Sequence, residues 1–247
     1  VKPREWHTPS GFFEILDHSA NLCVVHKPAG WLTHRTALAP KEWGILEVVE
    51  KQLSLPHPLS AVHRLDRATS GVLVLAKTPE ATRAWSDRFQ KQEIQKRYLC
   101  LVRGWINESG VIEQPLARND NSAPQPARTR YRLIAPLEAR VVVHPRYATA
   151  RYSLVEAWPE SGKTHQIRKH FEHLRHPLVG DTLYGEGRHN RFFRETIGFQ
   201  GLALHAVELK ANSGEHWTAP LPGTWRTVFD FFQYPFGNGF PAPSEDS

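Results

Sequence analysis

The chain of 247 residues contains no methionine and only two cysteines. With no Met anywhere, the initiator is missing and a processed or trimmed N-terminus is expected. Cys23 and Cys100 each sit inside an apolar run, "LCVV" and "YLCLV". Two thiols so placed argue against a disulfide framework and for buried free cysteines in a reducing compartment. No apolar stretch approaches the ~18 residues that a membrane-spanning helix requires, and no hydrophobic signal core opens the chain. A cytoplasmic location without a membrane partner is the expectation. Nucleotide-cofactor fingerprints are missing too, because Gly180, Gly185 and Gly187 have the wrong spacing and no preceding strand.

What is present is positive charge. Lysines and arginines number 31 against 25 acidic residues, a formal +6, and 14 histidines can add to it at lower pH. That balance favours an acidic partner, of which nucleic acid is the commonest. The length fits one large domain or two small ones, and a chain of this size buries roughly 70–75% of its unfolded surface.

Residues 1–11 are polar and proline-bearing and read as an extension ahead of the fold. Phe12–Leu16 and Leu22–His26 read as adjacent strands across a polar turn. Trp43, Leu46, Val49 and Leu53 recur at helical spacing. Gly71–Ala76 is a continuous apolar run, the pattern of a buried strand. Thr78-Pro79 predicts a helix start, with a capping hydroxyl and proline at the first helical position. Lys96–Arg103 returns to strand, with Tyr98, Cys100 and Val102 on one face. Further strands are expected at Arg128–Ile134, Arg151–Trp158 and Leu202–Lys210, and helices over Thr164–Arg175 and around Trp225–Phe232. Gly180–Gly201 is expected to be a long loop, and such loops tend to be functional. The tail 235–247 has the composition of a disordered segment. Strands outnumber helices without regular alternation, so the fold class is α+β.

The densest chemistry lies in "HRLDRATSG", His63–Gly71. Asp66 stands between Arg64 and Arg67, ahead of a turn and a buried strand that would fix its backbone. Neighbouring guanidinium groups favour an ionised carboxylate. Such a group suits a nucleophile or a modest base and not a general acid at neutral pH. Glycoside hydrolysis usually needs a second, protonated carboxyl group, and the flanking motifs offer none. One carboxylate with basic walls fits a reaction on a phosphate-bearing sugar. His165, His170, His173 and His176 crowd one segment, but Arg168, Lys169 and Arg175 interleave them and would repel a cation, so no metal is expected. Arg188-His189-Asn190-Arg191-Phe192-Phe193-Arg194 mixes cations with rings, a combination suited to phosphate contact and base stacking, or equally to a solvated loop capped onto the core.

Six segments in order resemble the RluA family of RNA pseudouridine synthases. They are Lys27-Pro28-Ala29-Gly30-Trp31, His63–Gly71, Lys96–Gly104, Thr129-Arg130-Tyr131, Gly162–Arg168 and Leu204-His205-Ala206. The likeness covers residues 12–234 and implies one catalytic domain with a mixed, mostly antiparallel sheet flanked by helices and loops. It leaves no room for the N-terminal S4 RNA-binding domain of some relatives. It also implies conversion of uridine to pseudouridine without metal or organic cofactor, with RNA as partner and a monomeric enzyme.

By that resemblance Asp66 is the essential carboxylate, Tyr98 stacks on the uracil and is placed to help remove the C5 proton, and Arg168 pairs with Asp66. Taken alone, Tyr98 would be a core tyrosine and Arg168 a surface arginine. Arg64 is suited to hold the flipped nucleotide, and Lys96, Arg97, Arg188 and Arg191 to track phosphates. Gln92–Tyr98, Pro124–Ala127 and His173–Pro177 are most similar to the branch that modifies uridine 65 of transfer RNA. His26 and Lys163 depart from the residues usual in the family, and Ala117–Ala123 is short for that branch.

Overall fold

The computed structural model describes residues 13–34, 44–55, 57–117 and 122–235. The expected N-terminal extension, Phe12, Trp43 and all but the first residue of the 235–247 tail lie outside the described residues.

The chain runs β1 (Glu14–His18), β2 (Leu22–Lys27), α1 (Ile45–Leu53), β3 (Ser60–Ala61), β4 (Ser70–Ala76), α2 (Pro79–Gln90), β5 (Ile94–Arg103) and β6 (Ser109–Glu113). It continues with β7 (Arg128–Ala139), β8 (Ala150–Pro159), α3 (Gln166–His173), α4 (Gly187–Phe192), a π-helical turn (Phe193–Ile197), β9 (Leu204–Ala211), β10 (His216–Thr218) and α5 (Thr224–Phe231). Among the described residues these strands form one 10-stranded sheet in the order β1-β2-β4-β9-β5-β8-β7-β6, with β3 on β4 and β10 on β9. Every strand pairing is antiparallel except β4 with β9. The α+β class and the mixed, mostly antiparallel sheet are as expected.

Side chains alternate across the strands and feed separate cores. In the β2–β4 half, Val72, Val74 and Ala76 pack with Trp85 of α2, while Leu73 and Leu75 pack with Ile45 and Val49 of α1. In the β5–β8 half, Cys100 and Val102 pack with Ile167 and Phe171 of α3, while Leu99 and Leu101 pack with Trp225 and Phe229 of α5. Both halves are therefore covered on two faces, which explains why β4 reads as an unbroken apolar run.

The halves join where β4 and β9 run parallel for two residue pairs, Ser70 to His205 and Gly71 to Ala206. Gly71 has φ +124°, and a Cβ there would lie 2.1 Å from the Ala206 carbonyl oxygen, so only glycine permits this approach. Ser70 Oγ sits 2.7 Å from His205 Nδ1. Since His205 Nε2 faces the Ala219 carbonyl at 3.3 Å, Nε2 carries the proton and Nδ1 accepts from the serine hydroxyl. This seam anchors the end of the loop that carries Asp66.

Two expectations need correction. Gly180–Gly201 is not a loop: Glu186 caps α4 by accepting the His189 N–H at 3.0 Å, and the chain runs on through the π-helical turn. Phe193 is buried in the core between Tyr152 and Phe232 and cannot stack on bases. Of the two readings left open for this segment, RNA contact or packing onto the core, Phe193 follows the second. Strand β7 also runs to Ala139, with a register shift between Leu133 and Ala135 that breaks the alternation.

Candidate active site

The loop between β3 and β4 is held by polar contacts to the segment after β2. Lys27 is fully buried, and its ammonium donates to the carbonyls of Pro28 (2.9 Å), Trp31 (2.8 Å) and Arg67 (3.3 Å). Gly30 N–H donates to the same Arg67 carbonyl at 2.8 Å, and Arg67 Nε returns a bond to the Gly30 carbonyl at 3.0 Å. Thr33 Oγ1 donates to the Leu65 carbonyl and accepts the Leu65 N–H. The Asp66 carbonyl itself accepts from Thr69 N–H at 3.0 Å, closing the turn that the Thr-Ser-Gly sequence anticipates. Asp66 is thus fixed from both sides by contacts that leave its carboxylate free to point outward.

That carboxylate borders a cavity of about 430 Å³ whose walls include Arg64, Phe89, Lys96, Tyr98, His165 and Arg168. Arg168 Nη1 lies 3.3 Å from Asp66 Oδ2. The rest of the guanidinium is gripped by Asp181, with Nε to Oδ2 at 2.7 Å and Nη2 to Oδ1 at 2.9 Å. Asp181 is fully buried and accepts two further bonds from the N–H groups of Leu183 and Tyr184. Burial works against both charges. The hydrogen bonds and opposite charges overcome it, so the Arg168 pKa stays above its ordinary value and that of Asp181 below. Arg168 is therefore a fixed cation that orients Asp66.

Tyr184 covers this pair, with the guanidinium carbon 5.1 Å from its ring centre, and its hydroxyl meets His165 Nδ1 at 3.0 Å. His165 Nε2 is 3.8 Å from Asp66 Oδ2. Burial lowers the His165 pKa despite the attraction of Asp66, keeping the ring neutral near pH 7. Its backbone is left-handed (φ +55°), an uncommon state for a residue with a Cβ that concentrates at functional sites.

Tyr98 lines the cavity from β5. Burial, with the charge of Asp66, raises its hydroxyl pKa, so it holds its proton at neutral pH. Lys96, also on the wall, donates to the Ser161 carbonyl at 3.0 Å, and burial lowers its pKa to about 8. Arg64 is exposed at the rim. Beneath it His63 stacks on Phe89 with ring centres 4.5 Å apart and accepts the Val74 N–H at 2.9 Å.

Asp66, Tyr98, Arg168, Arg64 and Lys96 therefore meet in one cavity. Arg97 does not. It is buried, bonded to Glu156 at 2.8 Å and to Glu208, so the expected phosphate contact is corrected to a structural ion pair between β5, β8 and β9. Neighbours on a strand face opposite ways, and with Lys96 and Tyr98 on the cavity Arg97 must turn into the fold. Arg188 and Arg191 are exposed on α4 and do not line this cavity. Asp181 and Tyr184 were not singled out by sequence reasoning, and His165 was weighed only as a member of a histidine cluster. The available signal for Asp181 was an acid directly after the apolar stretch "PLVG", where an unpaired carboxylate would be costly.

The arrangement offers one carboxylate, a fixed cation, a neutral aromatic hydroxyl and a cationic rim. A family described as RNA pseudouridylate synthase matches residues 21–173. This chain belongs to that family. It is a pseudouridine synthase, an RNA-modifying isomerase. Among similar proteins, "tRNA pseudouridine synthase C" of Pectobacterium carotovorum is 40% identical over 94% of this chain, which spans 66% of that relative's length. The protein of the same name from Salmonella typhi is 41% identical over 89% of each chain. Of solved structures, human RNA Pseudouridylate Synthase Domain Containing 4 shares the fold with a TM-score of 0.68, covering 89% of this chain and 92% of that one at 23% identity. Human RNA Pseudouridylate Synthase Domain Containing 1 gives 0.65 at 27% identity, covering 87% and 86%. For this synthase, no group of three or more metal-ligating side chains occurs among the described residues, and no helix there is long and apolar enough to cross a membrane.

Proposed function

We propose that this pseudouridine synthase acts on transfer RNA, at uridine 65, with Asp66 as the essential carboxylate. The observation that carries the site assignment is the Asp66–Arg168–Asp181 chain: an acid at a cavity wall, held by a cation that is itself locked by a buried acid. The transfer RNA reading is supported by relatives that are about 40% identical and named for that substrate, and by the basic rim.

A uridine enters by leaving its stack, at a cost of a few kcal/mol. Arg64, exposed beside the acid, holds the displaced nucleotide's phosphate. The uracil rests against Tyr98. Asp66 then acts on the ribose, by attack at C1′ or by taking the 2′ proton. Both routes need an ionised oxygen, which Arg168 orients without donating a proton. The N1–C1′ bond breaks, uracil turns in the cavity, C5 bonds to C1′, and the C5 hydrogen leaves as a proton while N1 gains one. Nothing is added or lost overall, so no oxidant, metal or cosubstrate is required. The apolar strands behind the cavity keep water from C1′, where hydrolysis would compete.

The test is pseudouridine mapping in total RNA from cells with and without this protein. Loss confined to position 65 of transfer RNAs is the expected result. Loss only in ribosomal RNA, or at another transfer RNA position, would overturn the substrate reading while leaving the reaction class intact.

A further inference from the structure

A second cavity, of about 670 Å³, opens at the other ends of the same elements and is lined by Arg103, Arg146, Arg151, Arg175, Glu138 and Tyr147 among others. Four arginines against one glutamate leave a formal +3 on its wall. The glutamate is already engaged, since Glu138 accepts from Thr149 at 2.8 Å and from Arg151 at 3.1 Å. Glu186, whose charge is felt by the adjacent His189, is used in capping α4. Arg151 is held in place from the other side, its guanidinium carbon 4.0 Å from the centre of the Trp105 ring.

Arg103 and Arg146, like Arg83, Arg140 and Arg188, form no ion pair with a carboxylate among the described residues, whereas other arginines of this fold do. Arg88, Arg97, Arg128, Arg130, Arg132, Arg168 and Arg194 each sit on a carboxylate. Arg103 and Arg146 meet none within 4 Å among the described residues, and there the Arg103 guanidinium bonds only the Arg175 carbonyl, at 3.4 Å. Arg175 sits in a left-handed turn (φ +63°) just past α3 with its side chain almost fully exposed. Arg103 feels the charge of Glu186 without a direct ion pair, Arg146 pairs with no carboxylate among the described residues, and Arg175 meets only the exposed Glu172 at 4.0 Å, so the cleft keeps an excess of positive charge suited to an anion.

Its place in the fold says which anion. Helix α3 carries Arg168 near its start and ends just before Arg175, a distance of roughly 10 Å at 1.5 Å per residue. Strand β5 carries Tyr98 in the catalytic cavity and, five residues on and turned to the strand's other face at its end, Arg103 in the second one, roughly 17 Å along the strand at 3.3 Å per residue. Such a separation spans roughly three to five nucleotides of a stacked strand at about 3.4 Å per step. From the geometry we infer that this cleft is a second RNA-backbone site, which holds phosphates of the substrate RNA remote from the reacting uridine. It reads shape and register, because arginine contacts to phosphate carry no base information. The inference rests on the RNA-modifying reading above.

The test compares wild type with Arg103→Gln/Arg146→Gln, two substitutions outside the catalytic cavity. Kd is measured by filter binding across a salt series for full-length transfer RNA and for a short stem–loop around the target uridine. Single-turnover rates are taken at saturating RNA. Full-length RNA should bind the double variant about tenfold more weakly, with the slope of log K against log salt reduced by about 1.5, as expected for two lost phosphate contacts. The short stem–loop should bind as before, and the saturated rate should not change. Arg146→Glu, a change at an exposed side chain, repeats the binding test without touching the Arg103–Arg175 bond. Unchanged binding of full-length RNA by both variants would overturn the second site, as would an equal loss on the short stem–loop. A wild-type protein that binds neither RNA would instead overturn the functional reading itself.

Discussion

Asp181 gives the sharpest link between stability and chemistry. Its side chain is fully buried and accepts four hydrogen bonds, two from Arg168 and two from backbone N–H groups. Asp181→Asn is isosteric and can keep the three bonds made by Oδ1. Its amide NH₂ would replace Oδ2 and face Arg168 Nε–H, donor against donor. Removing one partner of a buried ion pair costs about 3–5 kcal/mol. Because Asp66 remains 3.3 Å from Arg168 and Oδ1 is retained, the lower end applies, about 3 kcal/mol. In a chain of this length each kcal/mol moves Tm by about 2–4 °C, so a fall of about 6–12 °C is expected. The freed guanidinium would then close on its one remaining anion, Asp66, and draw that carboxylate away from the ribose. The single-turnover rate should drop at least about tenfold, the equivalent of 1.4 kcal/mol of misplaced interaction, while RNA affinity holds. Calorimetry gives the first quantity. Tritium release from RNA labelled at uracil C5 gives the second, because the isomerisation expels that hydrogen. A Tm within about 2 °C of wild type with an unchanged rate would refute the claim that Asp181 sets the position of Arg168.

Burial pushes the Lys27 pKa to about 7, below its ordinary value of 10.5 in the unfolded chain, while Asp66 pulls the other way. Between those values the unfolded state keeps a proton that the folded state has released, so this lysine makes stability rise with pH across that window, its full penalty applying below pH 7. Urea unfolding of Lys27→Met should lose that rise, and parallel pH profiles for the two proteins would contradict it. Gly71→Ala should cost about 3 kcal/mol or more, from the clash with the Ala206 carbonyl and a φ of +124°; an unchanged urea midpoint would remove the seam from the argument. Since the Tyr98 hydroxyl stays protonated, Tyr98→Phe should keep the rate within about tenfold. Tyr98→Leu should lose a further ten- to hundredfold, the worth of a base–aromatic stack of ~1–3 kcal/mol. Equal rates for the two variants would exclude ring stacking.

The sequence made the central strands and the loop carrying Asp66 legible for a physical reason: β4 and the second half of β5 are buried on both faces, and such apolar runs survive in one dimension. Asp66, Tyr98 and Arg168 were readable through a resemblance that covers most of the chain. Asp181 was not, because its meaning comes from a partner 13 residues away whose own partner is 102 residues away. Arg97 misled for the same reason, since its two carboxylates, Glu156 and Glu208, come from strands that pair with β5 only in three dimensions. The segment Gly180–Gly201 looked like a loop because its glycines and arginines masked buried His189, Phe193 and Ile197. Composition there reported the solvent face, and the core face was too short to show a period.

The most direct test of the central claim is pseudouridine formation in an unmodified transfer RNA transcript by the purified protein and by its Asp66→Asn variant, read by chemical mapping. The wild-type protein should convert the uridine at position 65, and the variant should convert none while still binding the transcript. Equal conversion by the variant, or no conversion of transfer RNA by the wild type, would contradict the account.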